Sequence, residues 1–252
     1  MKKSFFLALG FLTRFPVAFP ADASAEEKDQ ALLFYPLVGL LIGLLLGFVG
    51  NWAGSISPFV GGAICVALWA LVTGGLHLDG LADCVDGYVG GGNNKQKTLG
   101  IMKDANVGAI GVVALVVILI MKVAAVSEIL TQSNLMALIL APMFARALVI
   151  VFFITTPYIS AGGLGSIHAR EMDAEQEQKI FSRRRLSLAL TGVLALILLG
   201  LDLVWVILAC GSVFWVLREA WMRRIGGFSG DVAGLMIEIV EVVACLSLIV
   251  VG

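Results

Sequence analysis

Between Ala31 and Gly50 there is no charged side chain, and between Trp52 and Leu76 there is none again. Runs of 20 and 25 such residues are long enough, as helices, to cross a hydrocarbon core about 30 Å thick. Further apolar segments follow from Ala105 to about Val126, Asn134 to Ile154, Leu186 to Leu201, Leu203 to Leu217 and Asp231 to Val251. With 60% hydrophobic and 14% charged residues over 252 positions, and a mean hydropathy of +1.00, the chain is too apolar for an ordinary soluble domain. The expected fold is therefore all-α: one integral membrane domain over residues 1–252, a polytopic bundle of about seven transmembrane helices. A net charge of −1 gives no basic bias, so membrane lipids are expected partners and nucleic acid is not. Cys65, Cys84, Cys210 and Cys245 show no zinc or pairing pattern and are expected as free thiols.

At the N-terminus, Lys2-Lys3, the apolar Phe5 to Leu12 and then Ala23-Ser24-Ala25 imitate a cleaved signal peptide. Arg14 and Pro16 interrupt that pattern, and the favoured expectation is a short interfacial or re-entrant helix presenting an arginine. Residues Ala21 to Gln30 read as a polar connector. Gly39, Gly43 and Gly47 recur every fourth residue, which flattens one helix face for close packing; a homo-oligomer is left open by such faces. Of the 17 lysines and arginines, all but Lys122 and Arg146 fall before Ala31, between Leu76 and Ala105, between Thr155 and Arg185, or between Arg218 and Gly230. Those four segments belong on one side of the membrane, and the positive-inside rule makes it the cytoplasmic side.

The chemistry concentrates in Gly74-Gly75-Leu76-His77-Leu78-Asp79-Gly80-Leu81-Ala82-Asp83-Cys84-Val85-Asp86-Gly87. On a helix, Asp83 and Asp86 lie about 40° and about 20° to either side of Asp79, so the three carboxylates share a face. Like charges so placed repel unless a cation sits between them, and an all-oxygen ligand set suits Mg2+ or manganese over zinc. Lys103-Asp104 stands where it can close the site from the opposite side, with Asp104 a fourth candidate ligand. Arg146, inside an apolar segment, must face a polar cavity or a carboxylate. Asp231, Glu238 and Glu241 share an arc of about 80° that includes Gly234. Gly226-Gly227-Phe228-Ser229-Gly230-Asp231 is a glycine-rich turn into a helix start, with Gly227 and Gly230 candidates for phosphate binding, although a plain helix start with an acidic first turn explains it equally. Carboxylates for metal and cations for phosphate oxygens together suit metal-assisted phosphoryl transfer. Arg14, Lys103 and Arg146 are candidates to neutralise a pyrophosphate; the proton acceptor is one carboxylate or His77. His168 reads as a surface residue.

These blocks resemble the cobalamin synthase family. The resemblance rests on Thr73-Gly74-Gly75 with His77, Asp79-Gly80, Asp83 and Asp86-Gly87, on Ile101-Met102-Lys103-Asp104 with Gly108, and on Gly226 to Asp231 with Gly234. Phe11-Leu12-Thr13-Arg14-Phe15-Pro16 and Tyr35-Pro36-Leu37-Val38-Gly39 extend it over nearly the whole chain. It implies a polytopic inner-membrane transferase that joins adenosylcobinamide-GDP to α-ribazole or its 5′-phosphate, with magnesium, releasing GMP. By the same resemblance, Asp79, Asp83 and Asp86 carry the acidic-motif role, and Asp104 and Asp231 stand for the other family aspartates. Ala105-Asn106 departs from the serine expected after Asp104. Asp83-Cys84-Val85-Asp86-Gly87 is also similar to the CDP-alcohol phosphotransferases, without their Ala-Arg pair beyond the glycine. A phospholipid synthase with a CDP-linked donor is thus one alternative, and a cation or corrinoid transporter another; the latter predicts metal uptake without nucleotide release.

Overall fold

The computed structural model describes residues 1–17, 23–160 and 174–251, so His168 lies outside the described residues. The described helices are α1 (Lys2–Leu12), α2 (Ala25–Ala31), α3 (Tyr35–Gly54), α4 (Pro58–Thr73), α5 (Leu76–Gly91), α6 (Lys95–Ile101), α7 (Ala109–Thr131), α8 (Leu135–Thr155), α9 (Ala174–Leu199), α10 (Asp202–Ile225) and α11 (Gly230–Val251). Five stretches, α2 running into α3, then α7, α8, α10 and α11, are long and apolar enough to cross a bilayer. Helices α4 and α5 make a sixth if their bent pair is one span. The protein is an all-helical, multi-pass membrane protein, and about seven is an approximate count. In α9, Arg183-Arg184-Arg185 shorten the uncharged stretch that follows them.

Capping chemistry sets boundaries that hydropathy blurs. The break between the first two spans falls at Ser55–Ser57 rather than near Asn51, because the Ser57 side chain accepts from the Val60 amide and Pro58 opens α4. The supposed connector before Ala31 contains a helix, α2, started by a reciprocal capping box. The Ser24 amide donates to Glu27 at 3.0 Å and the Glu27 amide to Ser24 Oγ at 3.2 Å. Helix α7 begins at Ala109, four residues later than expected from apolarity alone.

The glycine repeat does what its spacing predicts. A side chain at Gly39 or Gly43 would run into the backbone of α8 at Pro142 or Ile139, so α3 and α8 approach to backbone contact. Beside this seam, Phe228 stacks on Phe152 with ring centroids 4.5 Å apart, and Phe153 and Tyr158 meet it edge-on at 4.9 and 5.2 Å. The chain around Tyr158 is held there by two backbone hydrogen bonds, Phe228 amide to Pro157 carbonyl and Ile159 amide to Phe228 carbonyl, each 3.0 Å.

What positions the acidic motif is an elbow. Gly74 and Gly75 both adopt the left-handed conformation, with φ of 64° and 69°, and α5 leaves α4 at 88°. That turn takes α5 out of the direction of α4 and lays it across one end of the bundle, against α7 and α11. Space distinguishes the two glycines: nothing lies within 4 Å of a Cβ at Gly75, whereas one at Gly74 meets the Arg14 side chain. Gly75→Ala is expected to cost only the left-handed backbone penalty, about 1–2 kcal/mol. Gly74→Ala should cost more, read as a larger drop in thermal unfolding midpoint in detergent.

Candidate active site

Helices α5 and α11 cross where neither has a side chain in the way. A Cβ on Gly80 would stand 2.8 Å from the Asp231 backbone, and one on Gly234 3.2 Å from that of His77. The crossing brings Asp79 and Asp231 onto the wall of one cavity of about 210 Å³, together with His77, Gly230, Lys28 and Tyr158. Phe11 and Leu12 of the N-terminal helix and the aromatic wall of Phe153 and Phe228 complete it. Each of the four basic segments identified in the sequence thus supplies lining residues: Lys28, Asp79, Tyr158 and Gly230.

Asp83 lies one turn beyond Asp79 and is half-buried. Burial, then the neighbouring charges of Asp79, Asp231 and Asp86, push its carboxyl up to about 6. Asp79, Asp83 and Asp231 therefore form the acidic set. Among the described residues no three His, Cys, Asp or Glu side chains converge as a ready-made metal cage. The donor chemistry nevertheless fits Mg2+, which is characteristically held by one or two carboxylates plus substrate phosphates and waters.

Asp86 is elsewhere. It stands about 10 Å along the helix axis from Asp79. Its two oxygens accept from the Gly108 amide at 2.7 Å and the Gly111 amide at 2.8 Å, capping the start of α7. In this structure both oxygens of Asp86 are engaged by α7 amides, and this explains the late start of α7. Asp104 is exposed and turned onto Asn106, whose amide and side chain donate to Oδ1 at 3.0 and 2.9 Å and hold the carboxyl below its usual range. Asn106, the departure from the expected serine, is what satisfies it.

The cations are redistributed as well. Arg146 is fully buried, in an ion pair with Glu241, and its Nη2 lies 3.5 Å from His77 Nδ1. Lys122 Nζ bonds Glu238 at 2.6 Å and Glu241 at 2.5 Å and sits 4.4 Å from the Trp69 ring centre. Glu238 and Glu241 lie about 10 and 15 Å deeper along α11 than Asp231, which removes them from the pocket. Arg146 does not line the cavity; its guanidinium lies behind His77, which does. Arg14 stands over Gly74 at the elbow and is exposed, with its amide donating to Val72 at 2.7 Å. Lys103 is exposed and forms no ion pair among the described residues.

The glycine-rich turn divides. Gly226 is a left-handed cap ending α10, and a side chain at Gly227 would collide with the Pro157 carbonyl, so Gly227 lets this backbone approach the chain at Pro157. Gly230 alone opens on the cavity. Lys28 and Tyr158 were not legible as site residues. Lys28 is flanked by Glu26, Glu27 and Asp29 and reads as part of a solvated strip; only the Ser24-to-Glu27 capping signal hinted at the helix that aims it.

The chain is a multi-pass helical membrane protein with an acidic cavity at the crossing of α5 and α11. The family model described as cobalamin-5-phosphate synthase matches residues 4–249. Proteins named adenosylcobinamide-GDP ribazoletransferase are similar throughout. The one from Pseudomonas fluorescens strain Pf-5 is 40% identical over 96% of this chain and 97% of its own. That from Ectopseudomonas mendocina is 41% identical over 96% of each, and that from Pseudomonas aeruginosa 36% over 98% and 97%. The chain belongs to the cobalamin-5-phosphate synthase family. No solved structure matches it.

Proposed function

We propose that the protein is an adenosylcobinamide-GDP ribazoletransferase of the inner membrane, with the cavity at the α5–α11 crossing on its cytoplasmic face. The observation that carries this reading is that Asp79 and Asp231, from two helices, line one cavity with Lys28 and His77, with Asp83 one turn further along α5 and within their electrostatic reach. Magnesium, held by these aspartates, would neutralise the pyrophosphate of the donor and stabilise charge on the leaving oxygen. An α-ribazole hydroxyl attacks the cobinamide-linked phosphorus, the bond to the bridging oxygen of GMP breaks, and the hydroxyl proton passes to a carboxylate. Lys28 supplies the cation that the sequence sought in Arg146 and Lys103. The corrinoid ring is too large for 210 Å³ and stays outside, so the cavity takes the reacting ends.

His77 acts here as a donor. Arginine has no acceptor, so the ring nitrogen facing Arg146, Nδ1, is the unprotonated one, and the ring proton sits on Nε2. Nε2 is buried and has no hydrogen-bond partner among the described residues. It is free to donate to a phosphoryl oxygen, which leaves proton abstraction to the aspartates. His77→Gln, which keeps a donor, should retain about tenfold more activity than His77→Ala.

The assay is GMP release and corrinoid product from adenosylcobinamide-GDP and α-ribazole, or its phosphate, in detergent. Product from these substrates and none from CDP-diacylglycerol supports the reading; the reverse pattern overturns it. The Asp83 shift adds a pH signature. A carboxyl raised from 3.8 to about 6 prefers its proton in the folded protein, so its contribution to metal-free stability is full below 3.8 and lost as pH rises through 6. Metal must displace that proton, so the Mg2+ concentration for half-maximal activity should climb as pH falls below 6.

A further inference from the structure

A second cleft, of about 700 Å³, lies between the charged end of α10 and the far end of α5, and it shares no lining residue with the acidic cavity. Its walls change character along α10. Trp215 and Val216 are exposed apolar residues, and Arg223 and Arg224 stand two turns further on, about 12 Å along the axis. Because α10 is a membrane-capable helix whose charges after Asp202 begin at Arg218, this gradient marks the boundary between hydrocarbon and water.

The polar end holds unused binding capacity. The Arg224 guanidinium stacks on Tyr88 at 4.0 Å, and its Nη1 is buried with no hydrogen-bond partner among the described residues. Arg223 donates through Nε to Glu219 at 2.8 Å, an exposed pair worth little that leaves its other nitrogens free. Lys95 reaches toward the same helix end, its Nζ 3.5 Å from where a Cβ on Gly226 would stand. Two cations, Arg223 and Arg224, thus line the cleft against one carboxylate, Glu219, with Lys95 nearby at the end of the helix. Arg218 donates to Thr155 and Thr156 and does not line the cleft, although its guanidinium lies 5.1 Å from the centre of the Trp215 ring.

We propose that this cleft binds the head group of an anionic phospholipid, with the phosphodiester on Arg224 and Arg223 and an acyl chain along Trp215 and Val216. A soluble phosphate would satisfy the arginines and leave the apolar half bare. A zwitterionic lipid would bring an ammonium group toward the two arginines. The bound lipid would bridge α10 to Tyr88 of α5, the helix that carries Asp79 and Asp83. This inference is independent of the reaction proposed above.

Native mass spectrometry of the full chain with added phosphatidylglycerol or phosphatidylcholine tests it. Wild type should retain one phosphatidylglycerol preferentially, and Arg223→Gln and Arg224→Gln should each reduce that preference about fivefold. Equal retention of the two lipids by wild type overturns the proposal, as does an unchanged preference in the double variant. Displacement of the lipid by millimolar inorganic pyrophosphate would reassign the cleft to a soluble anion and overturn it too. A measurement that needs no arginine variant is fluorescence quenching by brominated lipids. Brominated phosphatidylglycerol should quench more than brominated phosphatidylcholine, with the difference removed by Trp215→Phe; equal quenching contradicts the lipid site.

Discussion

Asp79→Asn and Asp231→Asn are each expected to lower GMP release by at least about 10²–10³-fold, the scale of losing one preorganised electrostatic contact to a developing charge. The loss should appear in kcat, with folding and detergent stability little changed, because Asp79 is exposed and these carboxylates repel their neighbours in the metal-free protein. Asp86→Asn should separate cleanly from them. It removes an acceptor from the start of α7 and should cost about 1–2 kcal/mol of stability, the usual worth of a helix cap. If Asp86→Asn were as inactive as Asp79→Asn while fully stable, the capping role would be wrong.

Glu241→Gln is the substitution expected to damage the fold most. Glu241 compensates two buried cations at once, Lys122 and Arg146, and the four-residue set with Glu238 is neutral as a whole. Removing one charge leaves a buried cation without its counterion, a change that costs about 3–5 kcal/mol in protein interiors. Thermal unfolding in detergent should show it as a large drop in midpoint. Pairing it with Arg146→Met restores neutrality and should recover much of the stability. Activity should not return with it, because His77 has lost the guanidinium that fixes its ring. Recovery of both together would mean that Arg146 has no part in orienting His77.

Much of this arrangement was visible in the chain. Helical spacing put Asp79 and Asp83 on one face, uncharged runs marked the spans, and the four-residue glycine repeat marked a close helix seam. An arginine among apolar residues had to face a polar cavity or a carboxylate, and the arc of Asp231, Glu238 and Glu241 held the carboxylate it pairs with, Glu241. Depth was what the sequence could not convey. Residues on one stripe of α11 read as one acidic cluster, yet Asp231 is at the cavity and Glu241 about 15 Å below it, in a different electrostatic role. The contacts of Asp86 were hidden for the same reason along α5: angular position is periodic, whereas axial distance and the approach of the α7 amides are set by tertiary packing. Lys28 and Tyr158 came from segments with no periodic signal at all, placed by the capping box at Ser24 and by the backbone pairing with Phe228.

Binding of Mn2+ in place of Mg2+, followed by electron paramagnetic resonance in the presence of GDP, addresses the acidic set directly. One tightly held ion is expected in wild type and in Asp104→Asn, with binding lost in Asp79→Asn and in Asp231→Asn. Loss in Asp104→Asn with binding intact in the other two would place the metal outside the α5–α11 crossing and contradict the account.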